Sequence, residues 1–174
     1  MKAAIAQIDT SALRHNLAVV KRHAPSCKII AVVKANAYGH GLLPVARTLV
    51  DADAYAVARI EEALMLRSCA VVKPIVLLEG FFSSADLPVL AANNLQTAVH
   101  TWEQLEALEQ AELPAPVVAW LIRWKVPSEY RIEAQRWFRR MRGTRDFTSI
   151  IESAESIDPF RYEASRPKRA GKGS

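Results

Sequence analysis

The stretch KIIAVVKANAYGHG, residues 28–41, decides the fold class. Its first half, from Lys28 to Lys34, is a β-branched apolar run bounded by polar residues, which predicts a short buried strand. Its second half is a small polar loop with two glycines, and an apolar helical pattern follows near residues 42–50. A strand, a loop and a helix in this order form a βα unit, the repeat of a parallel sheet.

The same alternation of strand and helix continues through the first 120 residues, with a period of roughly twenty residues per βα unit. Further strands are predicted at 3–8, 54–58, 73–80, 95–100 and 115–122, and further helices after Asp9 or Thr10, from Arg59 to about Arg67, near 84–92 and after Thr101. Either a doubly wound sheet or a (β/α)8 barrel fits this pattern, and the absence of a GxGxxG loop weakens the dinucleotide-binding version of the first. Because a closed barrel has eight strands, the five from residue 28 onward would give an α/β fold of the partial (β/α)8 barrel type, and the pattern alone leaves the doubly wound sheet open as well.

Charge divides the chain into two parts. Residues 1–120 carry ten Lys/Arg and eleven Asp/Glu, whereas residues 121–174 carry thirteen and seven, so the net charge of +5 comes from the last third. The alternation of strands and helices also ends near residue 122. We therefore predict a boundary at residue 122. The βα units over 1–122 form a partial barrel if they follow the barrel arrangement, and 123–174 is an atypical basic tail with an amphipathic helix at about 127–143 and disorder from about 164.

Composition excludes several classes of protein. Apolar residues make up 51% and charged residues 24% of the chain, as in an ordinary soluble domain. No apolar run is long enough for a transmembrane helix, and the N-terminus lacks the apolar region of a signal peptide, so a cytoplasmic location is expected. Two cysteines without metal-like spacing and four scattered histidines predict neither a disulfide framework nor a metal site.

Lys34 is the leading candidate for a functional residue. A lysine at the end of a strand is usually solvated, but the carboxyl ends of parallel strands are where such folds place their active sites. Partial desolvation favours a neutral amine, which can form a Schiff base with a carbonyl such as that of pyridoxal 5'-phosphate. Tyr38, four residues later, could reach the phosphate of that cofactor, and the amides at the start of the following helix favour anions. In contrast, Glu61 and Glu62 are interpreted as charges that suit the N-terminal end of a helix.

The segment AVVKANAYGHGLLPVARTL closely resembles the cofactor-lysine segment of bacterial alanine racemases, which are fold-type III pyridoxal-phosphate enzymes. The likeness begins at ALRHNL and continues through DADAYAVARIEEALMLR, KPIVLLEGFF, LQTAVHTWEQLEALEQAEL and VVAWL, so it covers residues 1 to about 121. The resemblance implies that Lys34 holds pyridoxal 5'-phosphate and acts as the base on the D-alanine side. It also implies that Tyr38 binds the cofactor phosphate, that the reaction interconverts L- and D-alanine for peptidoglycan, and that the protein forms a homodimer.

The chain departs from the family pattern after Trp120. Family members continue with a W-x-K-x-D-[ST]-G-M-x-R-x-G segment whose arginine contacts the cofactor, whereas this chain reads IRWKVPSEYR and has Glu129 at the arginine position. The resemblance places the second catalytic base, a tyrosine, in a C-terminal β-domain for which no matching segment follows here. We therefore expect a chain that looks truncated, through a frame shift or a fusion, and that racemises alanine poorly by itself.

Two other functions stay open at this stage. One is a non-catalytic pyridoxal-phosphate-binding barrel, which would use Lys34 and Tyr38 in the same way. The other is an interaction protein with a basic tail, in which Trp120, Trp124, Trp137 and Phe138 alternate with arginines. Because these apolar residues also fit the buried face of a helix, nucleic-acid binding is the less favoured interpretation, and no membrane partner is expected.

Overall fold

The computed structural model describes residues 5–121 and 161–164. The chain divides into two compact units, residues 1–76 and 77–174, and each is described by itself. The helix predicted at about 127–143 and the disorder predicted from about residue 164 lie outside the described residues. Within these residues, no helix combines the length and the apolar character needed to cross a membrane.

The first unit is built from βα units, as the sequence predicts. Its elements are α1 (Thr10–His23), β1 (Ile30–Val32), α2 (Lys34–Tyr38), α3 (Leu42–Thr48), β2 (Ala54–Val57), α4 (Ile60–Ser68) and the start of β3 (Ile75–Leu77). β1 and β2 pair in parallel, with Ile30 opposite Ala54 and Val32 opposite Ala56. The next hydrogen bond of this ladder runs from Val33 N to Ala56 O, at 2.8 Å.

One strand prediction in this unit is wrong. Residues 5–8, which fall in the strand predicted at 3–8, have no regular secondary structure. Ile5 is 90% exposed, so the apolar side chains of this segment do not form the buried face that a strand of a covered sheet requires.

Helix α1 begins where the capping pattern predicts. The carboxylate of Asp9 accepts hydrogen bonds from Ser11 N at 2.9 Å and from Ala12 N at 3.2 Å, which satisfies two amide groups of the first turn. The Ser11 side-chain hydroxyl also donates to Asp9, and this bond is the main reason that the pKa of Asp9 is lowered. Leu17 is the buried residue of this helix, and α1 packs against α3.

The second unit continues the alternation. Its elements are the end of β3, a 3₁₀ turn (Ser84–Asp86), α5 (Leu87–Ala92), β4 (Leu95–Val99), α6 (Trp102–Gln110), β5 (Val117–Leu121) and β6 (Arg161–Ala164). β4 and β5 pair in parallel, with Thr97 opposite Ala119, whereas β6 runs antiparallel to β5. The sequence pattern did not predict β6. The parallel pairing confirms the predicted α/β class in each unit.

Each unit has its own apolar core along its strands, except at β1. Ile30 is 43% and Val32 is 40% exposed, so the prediction that this strand is buried is wrong for these two side chains. The buried side chains of the first unit come mainly from one face of each helix and from the whole of β2, whose four residues are all buried. The largest fully buried side chains of the two units are Val33, Val57, Leu66 and Ile75 in the first, and Leu77, Leu87, Leu90, Leu95, Thr97, Val99, Leu108 and Val117 in the second.

Candidate functional site

Lys34 lies two residues after the end of β1, at the carboxyl end of this strand, and is partly buried. Val33, the residue before it, is fully buried, and its amide is bonded to β2. The start of the candidate site is therefore anchored to the core of the first unit. This is the position that the sequence pattern predicts for Lys34.

The turn that follows Lys34 has an unusual backbone. Ala35, Asn36, Ala37 and Tyr38 all have positive φ angles, between 52° and 55°, so α2 is a left-handed helical turn rather than an ordinary loop. For residues other than glycine this conformation costs about 1–2 kcal/mol per residue. Backbone strain of this kind persists only where the surrounding structure holds it, and it is concentrated at functional sites.

Hydrogen bonds within the segment hold the left-handed turn in place. Ala37 N donates to Val33 O at 2.8 Å, Gly39 N donates to Ala35 O and Asn36 O at 3.1 Å, and Gly41 N donates to Asn36 O at 2.9 Å. Gly39 and Gly41 have φ angles of 84° and 94°, which glycine adopts without a steric penalty. The two glycines of the sequence motif thus end the turn and lead the chain into α3.

Asn36 joins the turn to the next helix. Its side-chain oxygen accepts a hydrogen bond of 2.8 Å from Leu42 N, the first residue of α3. Because Gly41 precedes α3 and has no side chain to cap it, Asn36 takes this role from six residues upstream. The sequence prediction that the first amides of this helix are available to an anion is therefore wrong for Leu42.

Glu62 connects the left-handed turn to the neighbouring strand. One carboxylate oxygen accepts a hydrogen bond of 3.2 Å from Asn36 N, and the other accepts bonds from Ala58 N at 3.1 Å and Arg59 N at 3.3 Å. Ala58 follows β2 directly, so Glu62 links the carboxyl ends of β1 and β2. The sequence-based interpretation of Glu62, as a charge near a helix end, missed this contact because Asn36 and Glu62 are 26 residues apart.

Tyr38 and His40 are exposed side chains at the end of this segment. Tyr38 is 59% exposed, and among residues 5–121 and 161–164 its hydroxyl has no hydrogen-bond partner. His40 is also exposed, and its Nδ1–H donates to Ala37 O at 2.9 Å, which gives it a local structural role. The structure thus brings Lys34 and Tyr38 to the two ends of one turn, with the tyrosine hydroxyl available to a ligand.

Of the other residues singled out in the sequence, His100 and Trp120 bond to neighbouring elements, whereas Trp124, Trp137 and Phe138 lie outside the described residues. His100, in the second unit, donates from Nε2–H to Leu78 O at 2.5 Å, while its Nδ1 is buried without a partner in the described part of the chain. Trp120 donates from its indole N–H to Gln96 Oε1 at 2.9 Å, between the paired strands β5 and β4. No group of three or more His, Cys, Asp or Glu side chains among the described residues is arranged to hold a metal ion.

Comparisons with known proteins show which family this chain is similar to. The family model described as "Alanine racemase, N-terminal domain" matches residues 8–122, which include the whole turn and Glu62. The chain is 96% identical over 121 residues to the alanine racemase of Aeromonas hydrophila, a match that covers 70% of this chain and 34% of the relative. It is 55% identical over 163 residues to the alanine racemase of Vibrio cholerae, covering 93% of this chain and 43% of the relative.

Solved structures agree with these sequence matches. The biosynthetic alanine racemase from Pseudomonas aeruginosa is 37% identical, with a TM-score of 0.68, over 79% of this chain and 39% of that one. The alanine racemase from Acinetobacter baumannii is 39% identical, with a TM-score of 0.58, over 59% of this chain and 31% of that one. The chain therefore spans about a third to two fifths of the length of these proteins.

Proposed function

Because the chain belongs to the alanine racemase family, we propose that it binds pyridoxal 5'-phosphate through Lys34 and Tyr38 and acts on alanine there. The family match shows the descent of the domain. The chain covers about a third of the length of the alanine racemase of Aeromonas hydrophila, so the activity proposed here is that of the 174-residue polypeptide itself. The observation that carries the proposal is the left-handed turn that begins at Lys34 and ends at Tyr38.

The residues present fit the proposed cofactor. A partly buried amine lies at the carboxyl end of a parallel strand, where barrel enzymes bind their substrates. An exposed phenol without a partner in the described residues lies at the other end of the same turn and can donate to a phosphate oxygen. When bound, pyridoxal 5'-phosphate supplies an electron sink for the charge that develops at the α-carbon of an amino acid.

We propose that Lys34 does two things in this site. Its Nζ would hold the cofactor, whose carbonyl group would supply the electrophilic carbon for attachment. With alanine bound in the site, Nζ would accept the proton from the α-carbon on the face that it occupies and return a proton to the same face. Tyr38 contributes by orienting the cofactor through its phosphate, because a fixed cofactor keeps the α-carbon within reach of Lys34.

Racemisation needs proton transfer on both faces of the α-carbon. The family resemblance assigns the second face to a tyrosine of another domain, contributed across a homodimer. A positioned general acid or base typically contributes about 10²–10⁴-fold. We therefore propose that this polypeptide, assayed by itself, exchanges the α-proton of alanine faster than it racemises alanine, and that its complete activity belongs to a cytoplasmic dimeric racemase.

The test is an assay of the purified 174-residue protein in D₂O with added pyridoxal 5'-phosphate and D-alanine or L-alanine. Deuterium at the α-carbon is measured by mass spectrometry, and the opposite enantiomer is measured by chiral chromatography. We expect slow exchange that Lys34→Ala abolishes and that Lys21→Ala, a change at an exposed position of α1, leaves intact. Turnover to the opposite enantiomer at about 1–10³ per second would contradict the proposal.

A non-catalytic cofactor-binding role is the second candidate, and the partial coverage of the relatives is the observation that favours it. The same assay separates the two roles. Cofactor bound to Lys34 without deuterium exchange would support the second candidate, whereas exchange that depends on Lys34 supports the first.

A further inference from the structure

Glu62 is in the right place to control the geometry of Lys34 and Tyr38. Its carboxylate accepts a hydrogen bond from Asn36 N, which lies midway between these two residues in the left-handed turn. We propose that Glu62 is a positioning residue of the cofactor site, which holds the turn in its left-handed conformation so that Lys34 and Tyr38 face one ligand. This inference rests on the proposed function, and it assigns Glu62 no contact with the cofactor or the substrate.

The geometry gives the carboxylate two separate tasks. Oε1 accepts from Asn36 N at 3.2 Å, whereas Oε2 accepts from Ala58 N at 3.1 Å and Arg59 N at 3.3 Å. The second pair belongs to the connection between α4 and β2, and the four residues of β2 are all buried. A side chain with two acceptor oxygens therefore fastens the turn to the end of a buried strand.

Asn36 makes this attachment effective. Its amide is held by Glu62, its carbonyl oxygen accepts from Gly39 N and Gly41 N, and its side-chain oxygen accepts from Leu42 N. Rotation of the Asn36 backbone toward right-handed φ values would break all of these bonds together. The hydrogen bond from Asn36 N to the Glu62 carboxylate therefore opposes the relaxation that the strained backbone of the turn favours.

Glu61 provides a matched control. It lies next to Glu62 in the first turn of α4, so its removal changes the net charge and the charge near the helix end in the same way. Glu61 is exposed, and no hydrogen bond joins its side chain to another described residue. Any difference between the Glu61→Ala and Glu62→Ala proteins therefore reports the hydrogen bonds of Glu62, to the turn and to the start of α4, rather than the charge.

The first measurement needs no cofactor. Amide hydrogen exchange of the full 174-residue protein is followed in peptides that cover residues 35–41. We expect Glu62→Ala to increase the exchange rate in these peptides. Glu62→Gln should give an intermediate increase, because an amide keeps only one acceptor oxygen. Glu61→Ala should exchange at the rate of the unmodified protein. Equal exchange in Glu61→Ala and Glu62→Gln proteins would overturn the inference, and this comparison holds even if Glu62→Ala fails to fold.

The second measurement tests positioning at Lys34. The same proteins are incubated with pyridoxal 5'-phosphate and reduced with borohydride, and the label on Lys34 is compared with the label on Lys73. We expect the Lys34-to-Lys73 ratio to fall on the order of tenfold in Glu62→Ala, as for loss of one hydrogen bond to a charged group, with partial rescue in Glu62→Gln. An unchanged ratio in Glu62→Ala would overturn the inference, whereas absence of selective Lys34 label in the unmodified protein would overturn the proposed function instead.

Discussion

The two tyrosines of the first unit should respond to the loss of their hydroxyl groups in opposite ways. Tyr38 is 59% exposed, and within the described residues its hydroxyl bonds to nothing, so Tyr38→Phe removes no contact that supports the fold. Tyr55 is 2% exposed, and its hydroxyl donates to Ala46 O at 2.6 Å and to Leu49 O at 3.2 Å, at the end of α3. Burial also raises the pKa of Tyr55, which keeps this hydroxyl protonated.

The magnitudes follow from these contacts. Loss of the Tyr38 hydroxyl removes a proposed hydrogen bond to a charged phosphate, worth about 1.5–3 kcal/mol, which weakens cofactor binding by roughly ten- to a hundredfold. Its effect on folding should stay within about 0.5 kcal/mol, as for other surface substitutions. Tyr55→Phe removes the buried hydrogen bond to Ala46 O and the part-buried one to Leu49 O, and should cost about 1–3 kcal/mol of folding free energy.

Two assays on the same two variants distinguish these effects. Titration with pyridoxal 5'-phosphate, followed by visible absorbance, gives the dissociation constant, and thermal unfolding followed by circular dichroism gives the Tm. We expect the Tyr38→Phe protein to bind pyridoxal 5'-phosphate more weakly at an unchanged Tm. The Tm of the Tyr55→Phe protein should fall by about 2–4 °C for each kcal/mol of folding free energy lost, while its cofactor binding, measured well below the transition, stays unchanged. A Tyr38→Phe protein with normal binding, or with the lower Tm of the two, would refute the assignment of this hydroxyl to the ligand.

Two further predictions concern the fold. Gly39 and Gly80 both have positive φ angles, but a Cβ at Gly39 meets nothing within 4 Å, whereas one at Gly80 lies 2.8 Å from Ala98 O. Gly80→Ala should therefore lower the free energy of unfolding, measured in urea, by about 1–3 kcal/mol more than Gly39→Ala does. Equal losses in the two variants would contradict this. The pKa of Asp9 is lowered in the folded protein, chiefly by the hydrogen bond from the Ser11 side chain. The contribution of Asp9 to the stability of α1 is therefore present above the unfolded pKa of 3.8 and is lost as pH falls through the lower folded pKa. Asp9→Ser, which caps the helix without titrating, should remove this part of the pH dependence of helix content measured by circular dichroism, and an unchanged pH profile would show that Asp9 does not cause it.

Local sequence patterns predicted most elements of the fold correctly. The strands at residues 54–58 and 95–100 and the helices after Asp9 and Thr101 appear with small changes at their ends, because apolar periodicity and capping residues determine them locally. The expected strand at residues 3–8 is wrong over residues 5–8. An alternating apolar pattern forms a strand only where a neighbouring strand and a core are available to it.

The candidate site was predicted only in part. Its position after β1 followed from the pattern of Lys28 to Lys34, but the left-handed conformation of Ala35 and Ala37 did not, because alanine rarely adopts positive φ. The role of Glu62 was also missed, since its bond to Asn36 joins residues from successive βα units. Such contacts depend on the pairing of β1 and β2, which a local pattern in the sequence does not describe.

The central claim is that Lys34 is the residue that attaches the cofactor. The most direct test treats the 174-residue protein with pyridoxal 5'-phosphate, reduces it with borohydride and maps the label by peptide mass spectrometry. We predict stoichiometric label on the peptide that contains Lys34, and no stoichiometric label on any lysine of the Lys34→Arg protein. Label spread over several lysines in the unmodified protein, or a single labelled lysine other than Lys34, would contradict the account.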